Sequence, residues 1–193
     1  MFMKGSSKIA VLLINLLILI ASCGTHQMME SYLREGVDTT YIKKVAVLKF
    51  ENNSQDNYAA ERLRNITMTE ILSLGLFDVV DKAMVDVVLE EQMVGEKVSL
   101  DKSTLRRIAK KLGVQALVVG AVDAYEENRD GSYTYPVVAL TLRLIDGASG
   151  EVIWQASGTA SGYSTSGRLF GLRPKDFTQV SFDLVERLLK TLK

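Results

Sequence analysis

The 193-residue chain is 47% hydrophobic and 24% charged, with 23 Lys and Arg against 23 Asp and Glu. That composition fits one domain with an ordinary core and some extra length, and it supplies no bulk charge to draw in nucleic acid. A single His and a single Cys exclude an intrachain disulfide and any His/Cys metal cluster.

At the N-terminus, Lys4 and Lys8 precede an uncharged apolar run from Ile9 to Ile20, followed by Ala21-Ser22-Cys23-Gly24. Charge, a short apolar run and small residues in that order describe a secretory signal over residues 1–22, and the run is too short for a membrane span. Ile20-Ala21-Ser22-Cys23 resembles the lipobox of bacterial lipoproteins, which implies a lipidated Cys23 as the mature N-terminus. The alternatives are a signal peptide cleaved nearby or an uncleaved signal anchor. Diacylation gives stable anchoring, and by the sorting pattern of enterobacterial lipoproteins Gly24 after the Cys implies the outer membrane. Removing residues 1–22 takes away Lys4 and Lys8 and no acid, leaving 21 basic against 23 acidic residues, a net of −2. Residues 23–41 are expected to form a lipidated tether, fully extended at most about 60 Å long. Met28, Met29, Tyr32 and Leu33 fit one apolar face of a short helix within it. Residues 42–193 are the domain.

Lys44 to Phe50 is a nearly continuous apolar segment and predicts a buried strand, with Glu51 to Asn57 as a polar loop. The period then changes to helical from Tyr58 to Leu74, where Ala59, Leu63, Ile66 and Leu74 share a face, Asn57 or Asp56 is the N-cap and Gly75 the stop. Glu70 is placed at the rim of that stripe, the other reading being contact with a second subunit. A short strand from Phe77 to Val80 is followed by an Asp81-capped helix through Met93, with Val85, Val88 and Leu89 on one face. Asp101 opens the next helix, whose Leu105, Ile108, Ala109 and Leu112 fit the i, i+3, i+4, i+7 template before Gly113 ends it.

Three strands follow as a meander. Residues 115–124 are too continuously apolar for a half-exposed strand, whereas Leu140, Leu142 and Leu144 alternate with Thr141 and Arg143 in 137–146. Asp146 to Gly150 predicts a tight hairpin into 151–161, where Trp154 points inward with Val152 and Ala156. Asn128 to Pro136 is expected as a longer connection. Gly162 to Arg173 predicts a loop, and Pro174 opens a closing helix with Phe177, Val180, Leu184 and Leu188 inward. The order strand, helix, strand, helix, helix, three strands, helix predicts one mixed sheet with packed helices.

His26 lies in the tether, so no His-based acid–base pair or triad can form inside the domain. The glycines match no phosphate-binding pattern. Asp123, Glu126, Glu127 and Asp130 suit either a cation or a solvated strand end, the latter favoured. No catalytic residue, metal or cofactor is expected. Two features suit contact with a partner. Gly167-Arg168-Leu169-Phe170-Gly171-Leu172 puts Leu169, Phe170 and Leu172 in a loop, where they cover the core, touch a partner or enter a membrane. Tyr125, Tyr133 and Tyr135 are expected to cluster at the first meander turn, as an interface, a carbohydrate platform or plain cross-strand packing.

The segments 45–52 (VAVLKFEN), 74–80 (LGLFDVV), 109–120 (AKKLGVQALVVG) and 142–154 (LRLIDGASGEVIW) resemble the CsgG-type lipoproteins, the superfamily of the curli secretion channel. The resemblance spans Val45 to about Ser161 and implies an anticodon-binding-domain-like α/β fold. It also implies attachment to the outer membrane and frequent assembly into rings. No loop here supplies two strands of about 9 to 11 residues for a spanning hairpin, so a membrane pore is not expected. The chain is more similar to small non-channel members such as the lipoprotein of Pel exopolysaccharide export, with lipoprotein activators of penicillin-binding proteins as more remote relatives.

The expectation is therefore a non-catalytic lipoprotein anchored at Cys23, facing the periplasm, that forms homo-oligomers or docks on envelope secretion proteins. The alternative is a monomeric regulator that activates a cell-wall synthase, which the short tether disfavours.

Overall fold

A computed structural model describes residues 28–92 and 101–192. The strands are β1 (Met29–Leu33), β2 (Lys44–Val47), β3 (Glu51–Asn52), β4 (Asp78–Val79), β5 (Ala116–Asp130), β6 (Tyr133–Asp146) and β7 (Val152–Ser161). The helices are α1 (Ala59–Ser73), α2 (Lys82–Glu91), α3 (Lys102–Leu112), α4 (Thr165–Phe170) and α5 (Phe177–Lys190). All seven strands form one sheet in the order β1-β7-β6-β5-β2-β4, with β3 also pairing β5. The meander and β1 are antiparallel, while β2 runs parallel to both β4 and β5. The expected mixed sheet with packed helices is the observed architecture.

Each face of the sheet has its own core. On one, α1 and α5 cover Val45, Val47, Val118, Leu140, Leu142 and Trp154. On the other, α2 and α3 cover Ala46, Leu48, Leu117, Val119 and Ile145. Helices on both sides explain why β5 reads as a continuous apolar run: Ala116 to Gly120 are all buried. Gly120 leaves room for Phe50, whose ring carbons would lie 2.9 Å from a Cβ at that position. Trp154 is the core anchor expected of it, 1% exposed, with its indole N–H donated to Thr191 Oγ1 at 2.9 Å.

Several local expectations are corrected. Met29 to Leu33 do not form a helical face; they are an edge strand paired with β7 from Met29↔Gly158 to Leu33↔Trp154. A register shift between Leu144 and Ile145 aligns Leu144 with Trp154 but Ile145 with Val152, so Ile153 is the extra residue. Val152 therefore turns to the opposite face and packs in the second core. The expected 128–136 connection is strand almost throughout, because β5 and β6 stay paired as far as Asp130↔Tyr133.

On α1 the N-cap is Tyr58, without a side-chain cap, and the Asp56 carboxylate instead takes the Tyr58 N–H at 2.7 Å. The buried stripe is Ala59, Leu63, Arg64, Thr67 and Ile71, so Ile66 and Leu74 sit at its margins. Glu70 is half-buried at the rim, with Ser73 Oγ donating to its carboxylate at 3.3 Å. The predicted loop from Glu51 contains β3, and the loop from Gly162 contains α4. The closing helix starts at Phe177 rather than Pro174, since Asp176 and Gln179 form a capping box there. Cys23, His26 and the end of the second helix at Met93 lie outside the described residues.

Candidate interaction surface

The two sequence features proposed for partner contact meet at one end of the sheet. β7 ends at Ser161, and Ser164 then caps α4 by accepting the Gly167 N–H at 3.1 Å. Gly171, at φ 67°, closes α4 after six residues, and the Leu172 N–H returns to the Gly167 carbonyl at 2.8 Å. So short a helix cannot bury a full apolar face. Leu169, Phe170 and Leu172 are left 75%, 77% and 58% exposed. They do not cover the core.

Beneath α4 lies an aromatic seat. Tyr133 and Tyr135 on β6 have ring centroids 6.2 Å apart, and Tyr163 meets them edge-on at 5.9 and 5.1 Å. Gly167 lets α4 rest on this seat, because a Cβ there would lie 3.0 Å from the Tyr133 hydroxyl oxygen. That hydroxyl is buried and has no hydrogen-bond partner among the described residues. Arg168 clamps α4 to the hairpin tip through an ion pair with Asp130 and a 3.5 Å contact with the Tyr163 hydroxyl. Tyr163 and then Asp130 hold its guanidinium above its already high ordinary pKa. An open cleft of about 350 Å3 lies alongside, lined by Gly162, Tyr163, Ser164, Gly167, Leu172 and Arg173 among others.

Tyr125 does not join this cluster. It is buried on the other side of the hairpin, stacked on Phe177 at 4.5 Å, while Tyr163 takes the third place. Nothing in the spacing marked Tyr163, because only the return of the chain from β7 to the hairpin brings it there. The four acids near this end do not converge. Asp123 sits at a β-bulge and accepts from Asn53 Nδ2 and Thr141 Oγ1, and Asp130 holds Arg168. Among the described residues no three His, Cys, Asp or Glu side chains are placed to share a metal ion. Nor is any described helix long and apolar enough to cross a membrane. The surface offers apolar side chains, aromatic edges and a guanidinium held by Asp130.

The family model of the peptidoglycan-synthase activator LpoB matches residues 19–159. The chain belongs to the LpoB family. Its match ends two residues before the end of β7, so α4 and α5 lie beyond it. The synthase activators, expected as more remote relatives than the Pel export lipoprotein, are the family this match names. Comparison with the curated proteins finds no match. Among solved structures, the PelC dodecamer from Paraburkholderia phytofirmans has 20% identity, 86% of this chain and 96% of that one covered, and a TM-score of 0.60. The lipoprotein GNA1162 from Neisseria meningitidis gives 17%, 78% and 97%, and 0.53. The LpoB C-terminal domain from Salmonella enterica gives 22%, 65% and 85%, and 0.44. Identities this low speak to the fold alone.

Proposed function

We propose that this LpoB-family protein is a non-catalytic lipoprotein that activates a peptidoglycan synthase from a lipid anchor at Cys23 in the outer membrane. The observation that carries the reading is the family match, which runs from the end of the signal-like segment through the meander. The residue inventory supports it: the chain has a single histidine, His26, so no pair of histidines is available for acid–base work. An activator needs only a rigid surface that binds one conformation of its target better than another. Two helix-covered cores and a seven-stranded sheet supply that rigidity.

The test adds the purified chain to a purified bifunctional penicillin-binding protein from the same cell and follows glycan polymerisation and cross-linking. A several-fold, saturable acceleration with a one-to-one complex is expected. Unchanged rates and no complex with any synthase of that cell would overturn the reading.

A second reading, an oligomeric part of an envelope export machine, is favoured by the likeness in fold to PelC, described as a dodecamer. Light scattering on the lipidated chain separates the two. A monomer supports the activator, and a discrete assembly of many subunits supports the export component.

A further inference from the structure

We propose that the α4 end of the domain is a second membrane contact, in which Leu169, Phe170 and Leu172 enter the lipid leaflet that holds the acylated Cys23. The inference rests on the lipid-anchor part of the function proposed above and adds an orientation to it.

The first observation is the chain length left for the anchor. β1 begins at Met29, so the tether expected over residues 23–41 is shortened by its own edge strand. Five residue steps separate Cys23 from Met28, and fully extended they span at most about 18 Å. Acyl chains in a leaflet therefore hold Met28 close to its surface.

The second observation is direction. β1 is antiparallel to β7, with Met29 opposite Gly158 and the Thr159 N–H donated to the Met28 carbonyl at 3.0 Å. Read backward from Leu33 to Met29, β1 runs toward the end of the sheet where β7 ends at Ser161 and the turn into α4 begins. Traced this way, β1 heads away from the opposite end of the sheet. β6 alone has 14 residues, about 45 Å at the rise of a strand, and Met28 lies level with its middle, heading away from the Asp146–Gly150 turn.

The third observation is what this end presents. Leu169 and Phe170 are among the most exposed large apolar side chains described, at 75% and 77%, and Leu172 follows at 58%. Single exposed apolar residues are unremarkable, but Leu169 and Phe170 on one short helix, with Leu172 just past its Gly171 cap, form a wedge at the end toward which β1 points. Of the neighbouring cations, Arg168 is paired with Asp130 and Lys175 with Asp183, while Arg173 has no ion pair among the described residues. With one unpaired cation against three exposed apolar side chains, contact is driven mainly by apolar insertion. A lipid surface is the occupant that meets the group without a second protein. With this end down, the Asp146–Gly150 turn points away from the leaflet.

The test uses the full chain, processed and acylated by a bacterial host, reconstituted in phosphatidylethanolamine–phosphatidylglycerol vesicles. An environment-sensitive nitrobenzoxadiazole label is placed at Phe170→Cys, at Leu169→Cys or at Val87→Cys. The last is a control site on α2, 53% exposed, on a helix that packs over Ala46 and Leu48 of the second core. With doxyl-labelled lipid present, labels at 169 and 170 are expected to be quenched about twofold or more beyond the label at 87, and to remain so in high salt. Equal quenching at all three positions would overturn the contact. The mass of the N-terminal peptide reads the anchor separately. Quenching at 170 with an unmodified Cys23 supports the contact and overturns the anchor, whereas an acylated Cys23 without quenching at 170 overturns the contact alone.

Discussion

Arg64 Nη1 donates to Asp86 Oδ1 at 2.8 Å, tying α1 to α2 across an edge of the sheet. The same guanidinium, 1% exposed, gives its Nε and Nη2 protons to the Val47 carbonyl at 3.1 and 2.9 Å. One buried cation thus satisfies a backbone acceptor and a carboxylate at once. Removing Asp86 leaves the charge buried and half-satisfied, so Asp86→Ala is expected to cost about 2 to 3 kcal/mol in urea unfolding, near the lower end for a broken buried pair because Asp86 is partly solvated. Adding Arg64→Met to that variant is expected to recover part of the loss, a non-additivity measurable in a double-mutant cycle. Strict additivity would show that the pair is not coupled.

Gly150 and Gly131 both occupy the left-handed region, at φ 75° and 63°, but in different surroundings. A Cβ at Gly150 would meet the Lys102 carbonyl oxygen at 2.9 Å, whereas nothing lies within 4 Å of one at Gly131. Gly131→Ala is expected to cost the conformational strain alone, about 1 kcal/mol, and Gly150→Ala distinctly more because α3 must shift as well. The comparison is read from thermal unfolding of the two variants beside the parent. Equal losses would show that α3 gives way freely at Lys102.

Asp146 and Tyr41 give the chain a readable acid limb. Burial alone would raise Asp146, but the Tyr41 hydroxyl at 2.6 Å and donors from the 148–149 turn outweigh it and hold the carboxyl below its usual range. Burial, then the bond to Asp146, pushes Tyr41 up to about 12. For a depressed carboxyl the stabilisation is complete above the unfolded pKa of about 4 and is lost as pH falls through the folded value. For the raised tyrosine it is complete below about 10 and is lost as pH rises toward the folded value. Tyr41→Phe removes one donor from Asp146, so its acid unfolding midpoint is expected at higher pH than the parent's. An unchanged midpoint in circular dichroism titration would remove Tyr41 from the account.

Tyr133 and Gly167 separate the packing of the aromatic seat from its polarity. The Tyr133 hydroxyl is buried without a partner, so Tyr133→Phe is expected to be neutral or to stabilise by up to about 1 kcal/mol. Gly167→Ala places a methyl group 3.0 Å from that oxygen and is expected to loosen α4, seen as faster hydrogen exchange confined to residues 164–172. The double variant, which removes the obstructing oxygen, is expected to regain protection. No regain would show that other contacts set the seat.

The elements readable from the sequence were those whose local signals agree with one another. α3 has an Asp101 cap, four apolar residues at helical spacing and a left-handed Gly113, and these act within one segment. The same holds for the alternation in β6 and for the doubly covered start of β5, because burial on one face or two writes itself directly into side-chain period. The family resemblance likewise rested on these segments, and the observed mixed sheet followed from their order. Other features required the assembled sheet. Met29 to Leu33 have helical spacing, yet the free edge of β7 recruits them as a strand, since pairing an exposed edge outweighs a weak local preference. Arg64 is buried because α1 crosses the open Val47 carbonyl, and no pattern in α1 announces that acceptor. Gly167 and Tyr133 are 34 positions apart in sequence and meet only because the long hairpin and the exit of β7 end at the same level. Local periodicity and capping were determined by the sequence itself; which edges pair, which charge is buried and which end presents the apolar wedge were decided by tertiary packing, because those depend on long-range juxtaposition.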